Sequence, residues 1–160
     1  MRRSIVGLIM LAALASGCVS RSGSSAATAI FREVQIEGAA IQLGAPLPSQ
    51  IQRDQPSDTI VALSRMQFGG AEAIRVHVTP AGVVRSLWFD YGMDADFDAM
   101  VANYASTLGP PTREAFRRGE RVVWLDEATR FEVVRDPERS AATVYSILTD
   151  RALTAAPPRS

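Results

Sequence analysis

The chain has 160 residues, with 17 basic side chains, 17 acidic ones, one histidine and one cysteine. A balanced charge excludes the broad basic footprint that nucleic acid requires, and a lone cysteine excludes an internal disulfide framework. The length supplies one hydrophobic core and not two independent ones.

In chain order, Arg2 and Arg3 give a positive start, and the ten-residue apolar run Ile5 to Leu14 (IVGLIMLAAL) follows. As a helix that run rises only about 15 Å, half of a ~30 Å hydrocarbon core. It is too short to span and suits a cleaved signal over residues 1–17. Small residues Ala15, Ser16 and Gly17 lead to Cys18, so the cut falls between Gly17 and Cys18.

The stretch Leu14-Ala15-Ser16-Gly17-Cys18 resembles the lipobox of bacterial lipoproteins. The resemblance implies that the Cys18 thiol, nucleophilic as its thiolate, receives a diacylglyceryl group. The chain is then cut before it and the new amino terminus is acylated. Each buried CH₂ contributes about 0.8 kcal/mol, so two or three acyl chains hold a protein firmly where one does not. Residue 19 is Val, not the Asp that retains such proteins at the inner membrane. The implied location is the periplasmic leaflet of an outer membrane, or the outer cell surface where there is one membrane. The implied partner is the membrane itself, through the acyl chains. Loss of Arg2 and Arg3 leaves 15 arginines against 17 acidic residues, a net charge near −2, with no lysine anywhere.

Residues 18–28 read as the lipidated cysteine and a flexible tether, because Val19 to Thr28 is rich in Ser, Gly and Ala. Residues 29–152 read as one α+β domain and residues 153–160 as a disordered tail. Period-two alternation predicts strands over Phe31 to Ile36, Ile60 to Phe68, Ala73 to Val78 and Val83 to Tyr91. Ile74, Val76 and Val78 share one face, as do Val83, Leu87, Phe89 and Tyr91. Thr79 to Gly82 reads as the turn between these strands. Phe97, Met100, Val101, Tyr104 and Leu108 form one helical stripe within residues 94–108. Asp94 or Asp96 caps its start, and Gly109 with Pro110-Pro111 stops it. Arg121 to Leu125, Arg130 to Val134 and Thr143 to Thr149 read as further strands. The expected fold is an antiparallel sheet of about five to seven strands, with the 94–108 helix packed on one face.

The pattern also allows two tandem half-repeats. Residues 41–51 (IQLGAPLPSQI) and 105–116 (ASTLGPPTREAF) each lead into a strand, turn, strand, turn and strand. Met66-Gln67-Phe68 then aligns with Val123-Trp124-Leu125, and Ile74-Arg75-Val76 with Phe131-Glu132-Val133. The element Leu43-Gly44-x-Pro46-Leu47-Pro48-Ser49-Gln50-Ile51, followed by the strand pair from Ile74 to Leu87, resembles the SmpA/OmlA-type small lipoproteins. Members of that family assist the outer-membrane β-barrel assembly machine, and related inhibitors of β-lactamase carry the unit in tandem. The resemblance covers residues 41–91, with a fainter second copy at 105–149.

Few constellations point to chemistry. His77 could serve a hydrolase as general base, or be a solvated strand histidine beside Arg75; no Gly-x-Ser-x-Gly elbow accompanies it. Asp94, Asp96 and Asp98 form D-x-D-x-D, but a calcium loop wants glycine and glutamate where Ala99 and Ala105 stand. Their charges also suit a helix start. No catalytic, metal or cofactor site is expected. Trp88 falls on the strand face opposite Leu87, Phe89 and Tyr91, and Trp124 is expected to repeat that geometry. Either the indoles pack beneath a loop, or Arg75, Arg85 and Trp88 form a partner surface, since arginine and tryptophan dominate binding hot spots. The expected function is a lipid-anchored, non-catalytic module that binds an envelope protein. The alternatives are a lipoprotein inhibitor or immunity-type protein against a periplasmic enzyme, and a small envelope hydrolase.

Overall fold

Alternating apolar and polar residues build seven of the nine described strands into a single antiparallel sheet. The computed structural model describes residues 29–36, 38–51, 60–64, 70–139 and 142–154. The signal segment, Cys18 and the tether lie outside the described residues, as do Met66-Gln67-Phe68 and residues 155–160.

Strands β1 (Glu33–Ile36) and β2 (Ala39–Gln42) form a separate two-stranded hairpin. Strands β3 (Ile60–Ser64), β4 (Ala73–Val78) and β5 (Val84–Tyr91) make a meander, and helix α1 (Phe97–Leu108) follows. Strands β6 (Thr112–Phe116), β7 (Gly119–Leu125), β8 (Thr129–Arg135) and β9 (Val144–Asp150) make a second meander, closed by the short α2 (Arg151–Thr154). The seven-stranded order is β3-β4-β5-β9-β8-β7-β6. Helix α1 thus carries the chain from the middle of the sheet to its far edge, and the second meander walks back until β9 pairs with β5.

Register puts one row of apolar residues on a common face: Ile74 opposite Phe89, then Ser146, Val133 and Val122. The next row on that face runs Val76, Leu87, Leu148, Phe131 and Trp124. The helix stripe closes this face, with Phe97 and Val101 buried and Met100, Tyr104 and Leu108 packed against the core. Tyr104 meets the Phe131 ring edge-on at 4.6 Å, and Phe31 meets Phe131 at 5.3 Å. Val34, Ile36, Ile41 and Leu43 of the hairpin join the same core.

Helix α1 begins as the sequence suggests, although residues 94–96 precede it: the Asp96 carboxylate accepts from the Ala99 N–H at 3.0 Å. Gly109 ends it at φ 84°, ψ −175°, a region essentially reserved for glycine, while its N–H reaches the Ala105 carbonyl. The three-strand first meander and the four-strand second one place Ile74-Arg75-Val76 and Phe131-Glu132-Val133 alike, with the charge away from the core. What precedes each differs: the hairpin in one case and α1 in the other.

Several expectations are corrected. Val83 is not the core residue of β5: Val78 pairs with Val84 and His77 with Ser86, so Arg85 is an extra residue in a β-bulge. That shifts the phase, and Val84 is buried in place of Val83. Trp124 does not repeat the geometry of Trp88. It lies on the helix side, 4% exposed, with its indole N–H donating to the Gly109 carbonyl at 2.9 Å. Leu153, expected in the tail, belongs to α2, where its N–H donates to the Asp150 carboxylate at 3.1 Å. Strands β2 and β6 add to the strands that alternation predicts.

Candidate functional site

Among the described residues neither α1 nor the β1–β2 hairpin lies over the second face of the sheet, and α2 borders one end of it. Its central row runs Arg75, Trp88, Ile147, Glu132 and Val123, and the neighbouring row runs His77, Ser86, Thr149, Arg130 and Leu125. A third row runs Ala73, Asp90, Tyr145, Val134 and Arg121. The segment after β8 covers part of that row, since Arg139 lies 4.4 Å above the Tyr145 ring.

Trp88 is held rigidly in the middle. It stacks on Tyr145 at 5.7 Å with 5° between the planes, and the His77 ring stands 5.4 Å away. The Arg75 guanidinium lies over the indole at 5.2 Å and is paired with Asp90 at 2.8 Å. Asp90 also takes Arg139 at 2.8 Å. Arg75 is therefore a clamp on Trp88 whose charge is already neutralised. Its Nε and the Arg139 Nη1 are buried without hydrogen-bond partners.

Beside Trp88 opens a groove of about 380 Å³. Trp88 and Ile147 supply apolar surface, Ser86 and Thr149 hydroxyls, and Arg85, Arg130 and Glu132 charge. Leu153 and Thr154 of α2 wall one end. Glu132 is occupied: Arg130 donates to it through Nε, and Arg121 lies 3.5 Å away. Leu125, 55% exposed, follows Arg130 along its row.

Of the three residues expected at a partner surface, Arg85 and Trp88 line this groove and Arg75 supports it from behind. The second-half contributors, Ile147, Thr149 and Arg130, sit at polar-side positions of β8 and β9. Nothing local in the sequence marks them, because only the β5–β9 pairing brings them beside Trp88.

His77 is half-buried rather than freely solvated, and its Nε2 is buried without a partner. Burial lowers its pKa below the ordinary 6.5, and the charges of Arg85 and Arg75 lower it further, so the imidazole is neutral at pH 7. Ser86 is its cross-strand neighbour, yet among the described residues no hydrogen bond joins the pair and no carboxylate orients the ring. Of the three aspartates, Asp96 caps α1, and Asp98 stands 3.9 Å from both Arg113 and Arg135. Among the described residues no three His, Cys, Asp or Glu side chains gather as a metal site would require. No helix among them is long and apolar enough to cross a membrane.

A second concavity, of about 410 Å³, lies where β5 meets α1, between Glu72, Tyr91, Met93 and Met100. Its rim is acidic and its Met93 is 72% exposed. No protein-family model, curated protein or solved structure matches this chain.

Proposed function

We propose that this protein is a lipid-anchored, non-catalytic binding module that presents the open face of its sheet to another protein of the cell envelope. In this reading acyl chains on Cys18 hold it in the periplasmic leaflet of an outer membrane, which raises the local concentration of any envelope partner. The lipobox-like stretch supports the anchor. The observation that carries the binding role is the asymmetry of the sheet. One face is closed by α1 and the hairpin, while the other holds a clamped, half-buried Trp88 at the edge of a groove. A rigid tryptophan beside arginine is the composition of an interface centre. Against catalysis stand the missing hydrogen bond between Ser86 and His77 and, among the described residues, the absence of a carboxylate that orients the ring.

The test is cross-linking in intact cells of the full-length, lipidated protein, followed by identification of what co-purifies from the membrane, with Cys18→Ala as the unanchored control. Enrichment of barrel-assembly components would give the module its process. A one-to-one complex with a periplasmic enzyme would establish the inhibitor reading instead. Hydrolytic turnover lost in His77→Ala would overturn the non-catalytic reading.

A further inference from the structure

We infer that the groove on the open sheet face is a receptor for an acidic, aliphatic segment of a protein partner, with Arg85 taking a carboxylate and Trp88 and Ile147 the adjoining aliphatic side chain. This rests on the protein-binding reading above and names the chemistry of its partner.

The distribution of arginines singles out Arg85. Among the described residues nine other arginines stand within 4.0 Å of a carboxylate. Arg151 is bonded to the Asp126 and Glu127 carbonyls. Arg85 alone among them has no such partner. It is also the extra residue of the β-bulge, with nothing opposite it on β4, and bulges re-aim side chains beside functional sites. Glu132, the groove's own carboxylate, is already engaged by Arg130 and Arg121, and the neighbouring imidazole is uncharged at neutral pH. Among the described residues the groove therefore presents one unspent guanidinium, a planar fork that matches a carboxylate with two parallel hydrogen bonds. Next to it lies apolar surface that is rigid before binding, because Tyr145 and Arg75 hold Trp88 in place. Little conformational entropy remains to be lost there.

The test uses the full-length lipidated protein in detergent micelles, labelled with ¹⁵N, and reads its two indole N–H signals. The probes are the tetrapeptide acetyl-Leu-Asp-Leu-Asp-amide, its asparagine counterpart, and inorganic phosphate. The aspartate peptide should move the Trp88 signal and leave that of Trp124, which is bonded to Gly109 in the core. Both the asparagine peptide and Arg85→Gln should weaken binding about tenfold. Arg85→Lys should recover part of the loss, and Arg118→Gln, which removes a distant exposed charge, should change nothing. Equal binding of the aspartate and asparagine peptides, an equal response of both indoles, or phosphate acting as well as the peptide would each overturn the proposal.

A photo-cross-linker placed at Ile147 in cells separates this failure from failure of the docking reading. A specific adduct that persists in Arg85→Gln keeps the open face as the interface and removes the acidic partner. No adduct at all removes the interface itself.

Discussion

At His77, burial and the charges of Arg85 and Arg75 favour the neutral ring in the folded protein. The unfolded chain takes up a proton as pH falls through about 6.5, while the folded ring resists it. The unfolded state then binds more protons, so stability falls with falling pH in that window. His77→Gln should flatten the pH dependence of the unfolding midpoint between about pH 7 and 5; an unchanged slope would remove His77 from that role. Asp126 acts lower on the scale. Burial pushes its carboxyl up, but N–H donors from Ile30, Ala128 and Thr129 outweigh it and hold the pKa below 3.8. Its stabilisation is present above that value and is lost as pH falls through the lower folded value. The two tryptophans differ by their surroundings and not by their type. Trp124→Ala empties core volume and should cost about 3–5 kcal/mol. Trp88→Ala removes a half-buried stack and should cost roughly 1–2 kcal/mol. Urea unfolding of the two variants checks the order, and a reversed order would mean the faces are wrongly assigned. Their assignment was half legible: the alternation of β5 places Trp88 outward, but the polarity of β7 depends on what lies above it.

Among the elements, α1 carries its own boundaries. Asp96→Ala removes the cap and should cost about 1 kcal/mol. Gly109→Ala forces a side chain into a region of positive φ and should cost roughly 1–3 kcal/mol. Thermal unfolding of both variants tests these values, and no loss in either would mean that the helix is held by packing alone. This helix was readable because its five apolar residues share one stripe and its stop signals follow directly. Strand β6, with sequence Thr-Arg-Glu-Ala-Phe, was not, since it is an edge strand with little buried surface and so needs no apolar alternation. Charges along such an edge also discourage pairing with other chains. Strand β2 carries no such signal because Ala39 and Ala40 give almost no contrast between its faces. The bulge at Arg85 has no composition signal either; it exists because β5 must meet residues 44–47 as well as β4. The hydrogen bonds from Gly44 to Val84, from Val84 to Ala45 and from Leu47 to Gly82 record that second pairing.

For the whole molecule, the β1–β2 hairpin is fastened to the sheet by Arg32, which reaches Asp150 at 2.5 Å, Thr129 at 3.1 Å and the Ala128 carbonyl at 3.0 Å. Asp150 is buried, so Arg32→Ala leaves its carboxylate without a charge partner as well as loosening the hairpin. The expected loss is about 1–3 kcal/mol, read as a lowered urea midpoint. At the other end of the chain, Cys18→Ala should move the protein from the membrane fraction to the soluble one, because the acyl chains are the proposed hold on the lipid. Retention in the membrane would point to a different anchor. The sequence alone determined the helical stripe, the two-sided character of β4, β5 and β8, and a cysteine set after a short apolar run. These are local properties, written in the spacing of residues along a few turns of chain. Tertiary structure alone decided that β9 lies between β5 and β8, and with it that Ile147 and Thr149 meet Trp88 and Ser86. An alternating strand pairs as readily with one alternating neighbour as with another. The choice is made by which arrangement lets α1 and the hairpin bury one face together.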